Sequence, residues 1–161
     1  MQDLKDLGLD GLLRERLAAG VPTLGICVGL QVLLDYSEEN DTPCLGIVPG
    51  KVRLFPRKLR DNHGERLKIP HMGWNEVVFS KEHPVFKDVP PGSEFYFVHS
   101  FYPELSDPTY ALGSTEYGIT FAAALGGRNL AAVQFHPEKS GPPGLQILRN
   151  FCQWNGKEFP C

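Results

Sequence analysis

The chain has 161 residues, which fits one domain and leaves little room for a second of full size. Hydrophobic residues make up 42% and the formal net charge is −3, which excludes a disordered chain and disfavours a nucleic-acid binder. No apolar run approaches the ~20 residues of a membrane span, and Met1 to Asp10 lacks the basic and apolar regions of a signal peptide, so the cytoplasm is the expected location.

Asp10 is placed to cap a helix running to about Ala19, with Leu13 and Leu17 on one face. Gly20 suits the left-handed position after the helix, and Pro22 stops any continuation. Thr23 to Ile26 is short and apolar, the pattern of a strand buried on both faces. Gly29 to Tyr36 reads as a helix, with Leu30, Leu33 and Leu34 at three-four spacing. Helix, strand, turn and helix in succession indicate an α/β fold. Four short strands are expected next, at Lys51 to Phe55, Asn75 to Phe79, Glu94 to His99 and Tyr110 to Ser114. Pro-Gly pairs at 49–50 and 91–92 mark turns between them. The charged stretch Arg57 to Arg66 reads as an exposed loop or hairpin tip. Phe121 to Leu125 and Leu130 to Phe135 flank Gly126-Gly127-Arg128-Asn129, a hairpin signal. Gly144 to Trp154 closes the pattern as a helix with Leu145, Leu148 and Cys152 on its apolar stripe. With no linker or repeat, residues 1–161 are expected to form a single domain.

The four cysteines form no C-x-x-C pair, so neither a zinc nor a dithiol motif is expected. Cys44 and Cys152 read as small apolar filler, and Cys161 is terminal with no suggested partner. Cys27 differs, because Gly25-Ile26-Cys27-Val28-Gly29 places it on a tight strand-to-helix turn. Such an elbow exposes a nucleophile, and flanking glycines let the backbone approach closely. A helix N-terminus there lowers a thiol pKa, and the Val28 N–H is aimed where an oxyanion would form. A cysteine nucleophile needs a base, and the base an orienting carboxylate. His136-Pro137-Glu138 offers both at a strand end, and proline favours the extended backbone that turns residues two apart to one side.

Gly25 to Gln31 together with Gln134-Phe135-His136-Pro137-Glu138 resembles the paired motifs of the class I glutamine amidotransferases. Pro70-His71-Met72-Gly73-Trp74-Asn75, Tyr96 to Tyr102, His136 to Ser140 and Leu148 to Phe151 narrow the resemblance to the glutaminase subunits of imidazole glycerol phosphate synthase. The resemblance covers essentially the whole chain. It implies a flavodoxin-like fold with a central, mostly parallel sheet and added antiparallel hairpins. It implies hydrolysis of L-glutamine to glutamate and ammonia, with Cys27 as nucleophile, His136 as base and Glu138 orienting it. Gln31 and the His99-Ser100-Phe101 stretch match glutamine-binding positions, the latter through backbone. Met72, Trp74 and Lys139 match positions facing a cyclase partner, which uses the ammonia to make imidazole glycerol phosphate in histidine biosynthesis. No metal or organic cofactor is implied.

The family pattern includes strands ahead of the first helix and a Pro-Gly-Val-Gly-like strand end that supplies a second oxyanion N–H. Nothing in Met1 to Pro22 matches them. The expectation is therefore a chain lacking roughly 40–50 residues of N-terminal strands, with Thr23 to Ile26 left at a sheet edge and a single oxyanion donor. Two alternatives stay open at this level. One is a glutaminase serving a different synthase; the other is a non-catalytic remnant that only docks on a partner.

Overall fold

The computed structural model describes residues 1–157, so the reading of Cys161 lies outside the described residues. Two helices open the chain, α1 (Gln2–Asp6) and α2 (Leu9–Ala18). Gly8, not Asp10, stands at the N-cap of α2, and Asp10 lies in its first turn. The expected stop is present in detail. Gly20 has φ of +79°, its N–H bonds the Leu17 carbonyl, and the Val21 N–H bonds the Arg16 carbonyl. That crossed pair satisfies two carbonyls the helix would otherwise leave open, and the left-handed residue between them is glycine because a Cβ there is strained. Leu13 and Leu17 pack on the core as their spacing suggests.

β1 (Thr23–Ile26) leads into α3 (Val28–Gln31), which is a single turn rather than the helix expected to reach Tyr36. The carbonyls of Val32, Leu33, Leu34 and Asp35 accept bonds from the backbone of residues 44–48, so they cannot serve a longer helix. The leucines still point inward: Leu30, Leu33 and Leu34 are all buried. The chain continues through β2 (Tyr36–Ser37), β3 (Thr42–Pro43), β4 (Gly50–Leu54), β5 (His71–Glu76), β6 (Val78–Phe79), β7 (Glu94–His99), β8 (Phe101–Leu105), β9 (Ala111–Glu116), β10 (Thr120–Gly127) and β11 (Leu130–Val133) to the closing helix α4 (Gly141–Gln153).

The main sheet runs β1-β11-β10-β9-β6. Its β1–β11 ladder is parallel and its other ladders are antiparallel, so the α/β class holds with a mixed sheet among the described residues. A second sheet, β3-β2-β4-β8, packs beside it, and β5 pairs with β7 alone. β1 lies at an edge of its sheet, and Thr23, Leu24 and Ile26 are only half-buried, which corrects the expectation of a strand covered on both faces. The β10–β11 hairpin forms as expected, with Arg128 and Asn129 in the loop and Gly127 opposite Leu130. The stretch expected as one strand from Asn75 to Phe79 is split at buried Val77 into β5 and β6, which join different sheets. Arg60 bridges Arg66 around the Gly64 turn, the hairpin tip suggested by its charge.

α4 packs with a different phase from the one its leucines suggested. Gly144 and Ile147 are buried, Phe151 and Trp154 continue that stripe, and Leu145 and Cys152 face outward. Cys152 is therefore not core filler, while Cys44 is half-buried. The core beneath α4 is strongly aromatic, with Phe95, Phe97, Phe121 and Phe135 buried around Phe55. Three histidines are buried within or beside it, and burial pushes His71 down to about 3 and His83 and His99 to about 4. Each is neutral in the folded chain at pH 7 but takes up a proton on unfolding below its ordinary value near 6.5.

The unfolded chain then binds more protons than the folded one below about pH 6.5, so the stability tied to these rings is complete above that value and is lost as pH falls. The thermal midpoint is expected to drop progressively between pH 7 and pH 4.5, measured by calorimetry at fixed ionic strength. A flat midpoint over that interval contradicts the assignment.

Candidate active site

The parallel ladder between β1 and β11 sets the site. Ile26 pairs with Val133, so Cys27 and the segment Gln134–Glu138 leave the same end of two adjacent strands. The Cys27 N–H still bonds the Val133 carbonyl at 2.8 Å before the chain turns into α3. Cys27 then adopts φ of +52° and ψ of −108°, a backbone region that costs a non-glycine residue about 1–3 kcal/mol. This is the elbow expected from Gly-x-Cys-x-Gly. The two glycines are not equivalent, however. A Cβ on Gly25 would stand 2.8 Å from the Gly29 carbonyl oxygen and 3.0 Å from the Ala132 Cβ, whereas one on Gly29 would meet nothing within 4 Å. Only Gly25 is required by close approach.

His136 follows the strand end and donates from Nδ1 to Glu138 Oε1 at 2.6 Å, the pairing expected from His-Pro-Glu. The backbone of His136 is held from both sides. Its N–H bonds the Tyr96 carbonyl at 2.9 Å, and its carbonyl accepts from Ser140 Oγ at 2.6 Å. Ser140 Oγ in turn accepts from the Tyr96 N–H at 2.9 Å, so β7 and the His136 loop are locked together. Glu138 and Lys139 are exposed.

The structure adds a residue to which no role attached from sequence. Gln134, fully buried, points Nε2 at the Cys27 sulfur at 3.6 Å. Its Oε1 accepts from Gln31 Nε2 at 3.0 Å, and Gln31 Nε2 also donates to the Phe101 carbonyl at 3.1 Å. Gln31 thus lies one turn past Cys27. Its identity gave a signal; that of Gln134 gave one only as part of the motif Gln-Phe-His-Pro-Glu. His99, Ser100 and Phe101 sit where β7 ends and β8 begins. The Ser100 carbonyl is taken by the Phe55 N–H, and the Phe101 carbonyl accepts from both Gln31 and His99. The His99 ring is turned into the core.

Burial raises the Cys27 thiol above the ordinary cysteine value; the Val28 N–H opposes it, the Glu138 charge adds to it, and Lys139 and Gln134 oppose it. This corrects the expectation of a lowered pKa. α3 is one turn long, and its end does not offset the desolvation of the sulfur. The resting thiol keeps its proton, so attack needs a base. Val28 is exposed, and its N–H favours the charged form of the Cys27 sulfur. Met72 and Trp74 project to the surface at 61% and 55% exposure. No cluster of three or more His, Cys, Asp or Glu stands ready to hold a metal among the described residues.

Residues 6–154 match the family model for class I glutamine amidotransferases. The chain belongs to that family. It is 51% identical over 151 residues to the imidazole glycerol phosphate synthase subunit HisH of Nitratidesulfovibrio vulgaris, a match covering 94% of this chain and 71% of that one. It is 50% identical over 158 residues to the imidazole glycerol phosphate synthase subunit HisH 1 of Pseudomonas aeruginosa, covering 98% of this chain and 73% of the relative. The resemblance read from the motifs is borne out at this level, and HisH glutaminase subunits are its relatives within the amidotransferases. Among solved structures, PurLQS from Thermotoga maritima shares the fold with a TM-score of 0.66 at 13% identity, covering 90% of this chain and 67% of that one.

The raised thiol leads to a direct expectation. Alkylation of Cys27 by iodoacetamide, followed by peptide mass spectrometry, should show a pH midpoint above that of a free cysteine peptide. A midpoint at or below that of the free peptide contradicts the burial argument.

Proposed function

We propose that the chain hydrolyses the side-chain amide of L-glutamine and passes the ammonia to a cyclase partner that makes imidazole glycerol phosphate in histidine biosynthesis. The observation that carries this reading is the β1–β11 ladder, which delivers Cys27 and the His136–Glu138 pair to one end of the sheet. The class I glutamine amidotransferase match and the HisH relatives, named as subunits of a synthase, support this reading.

In this mechanism the Cys27 sulfur attacks the amide carbon. Because the thiol is protonated at rest, His136 takes its proton as the C–S bond forms. Glu138 accepts from Nδ1 and so leaves Nε2 as the basic nitrogen, and its charge favours the imidazolium that results. The Val28 N–H meets the oxyanion, and His136 returns its proton to the departing nitrogen. Ammonia leaves, and a thioester to Cys27 remains. Water, activated by the same histidine, then attacks the thioester and releases glutamate. Gln31 and the backbone of His99-Ser100-Phe101 hold the amino-acid end of the substrate. Met72 and Trp74 on β5, with Lys139 beside the base, form the face that meets the cyclase.

Cys27→Ser should abolish glutaminase turnover in the assembled synthase while leaving partner binding intact. A glutamine analogue bearing a reactive leaving group should label Cys27. Labelling at Cys44 or Cys152 with Cys27 untouched would overturn the assignment. For the partner face, a central aromatic anchor is worth ~2 kcal/mol or more on truncation. Trp74→Ala should therefore weaken binding of the cyclase by about thirtyfold, measured by titration calorimetry, with little change in thermal midpoint. An unchanged affinity accompanied by a large loss of stability returns Trp74 to a packing role.

A further inference from the structure

Two buried imidazoles stand in the aromatic core beside this site, and the proposed reaction gives their rings no task. His71 on β5 and His99 on β7 are directly opposite in the ladder, and His71 Nδ1 lies 3.0 Å from His99 Nε2. His71 is sandwiched between Phe97, at a centroid distance of 4.7 Å, and Tyr117, at 3.9 Å. A phenylalanine would suit such surroundings without bringing polar atoms into them. What the imidazoles add is direction.

We infer that His71 and His99 are positioning residues, a neutral hydrogen-bond relay that fixes the Gln31–Gln134 amide pair against Cys27. This rests on Cys27 being the nucleophile of the proposed reaction. The donors and acceptors follow one from another. The Phe101 carbonyl can only accept, so His99 Nδ1, at 2.7 Å, carries the proton. A neutral His99 then has a bare Nε2, which must accept from His71 Nδ1. His71 is left with a bare Nε2, and Asn75 Nδ2 stands 3.5 Å from it while also donating to the Glu116 carbonyl at 2.8 Å. Burial keeps both rings neutral, so the arrangement has one set of proton positions.

At its inner end the relay meets the site through one atom. The Phe101 oxygen accepts from His99 and from Gln31 together. Gln31 Nε2 reaches on to Gln134 Oε1, which leaves the Gln134 amide nitrogen, and no acceptor, facing the Cys27 sulfur. If Gln134 flipped, it would present an oxygen to the thiol and repel the thiolate as it forms. The relay therefore acts on which way two amides face, through the position of a single carbonyl. At its outer end it reaches Asn75, next to Trp74 on β5.

The test measures inactivation of the full chain by the glutamine analogue, resolved into its maximal rate and its half-saturating concentration. His71→Phe and His99→Phe keep the aromatic packing and remove the relay. Each should lower the maximal rate about tenfold, the size of one lost buried hydrogen bond, with the half-saturating concentration unchanged. His99→Asn, whose amide can stand where Nδ1 stood and donate to the Phe101 carbonyl, should recover most of the rate. In a Gln134→Leu background the His71→Phe change should have no further effect. Should either phenylalanine variant fail to fold, Asn75→Ala removes the outermost donor and is expected to lower the same rate. Wild-type labelling at Cys27 with maximal rates unchanged in folded variants overturns the relay alone. So does a change confined to the half-saturating concentration, or full additivity with Gln134→Leu. Absence of Cys27 labelling in the wild type overturns the nucleophile assignment, and the relay with it.

Discussion

Four residue pairs, from Thr23 with Leu130 to Ile26 with Val133, carry the arrangement of the whole site. Because the ladder is parallel, both strands end at the same side of the sheet, and whatever follows each of them is brought together there. A ligand crevice at the carboxyl ends of adjacent parallel strands is the general consequence of this geometry. The remaining ladders of that sheet are antiparallel and serve to hold β11 in place. β11 is buried at all four positions, so its end is rigid, and the elbow at Cys27 is anchored to it through the Val133 carbonyl. The strained backbone of Cys27 is thus balanced by a ladder on one side and by the Gly25–Gly29 contact beneath.

Much of this was legible in the sequence because the signals were local. The Gly20 stop, the Arg128-Asn129 hairpin, the Cys27 elbow and the His136–Glu138 pair each depend on a few neighbouring residues whose backbone preferences agree. The failures were tertiary. α3 ends early because residues 44–48 take the carbonyls it would have used, and nothing within residues 29–36 announces that. The stripe of α4 is set by the aromatic core it meets, which selects Ile147 and Phe151 over Leu145. The thiol shift went the opposite way to expectation because desolvation depends on what surrounds the sulfur. Gln134 drew no role of its own for a related reason: an amide just past an apolar strand looks ordinary until its neighbour at Gln31 is seen across the site.

β7 and β8 form an almost continuous extended segment that belongs to two sheets, pairing first with β5 and then with β4. The change of partner falls at Ser100. On one side of it, the β5–β7 ribbon bears exposed Trp74 and holds the His136 loop through Tyr96. On the other, the Phe101 carbonyl faces Gln31. A single stretch of backbone therefore touches His136, Gln31 and the face proposed to meet the partner. Movement of the ribbon cannot leave the other two unaffected.

Cys27 and Gln134, in contact across the site, are separated by 107 residues of chain. At the usual pace of about 5–20 residues per second, a ribosome takes about 5–20 s to make the intervening stretch. Throughout that interval Cys27 exists without the strand that anchors its elbow, as an ordinary, solvated thiol. The ladder that anchors the elbow closes a loop about two thirds as long as the chain, and contacts of that span form late in folding. Nascent chains thus carry a transiently accessible cysteine before the site around it exists.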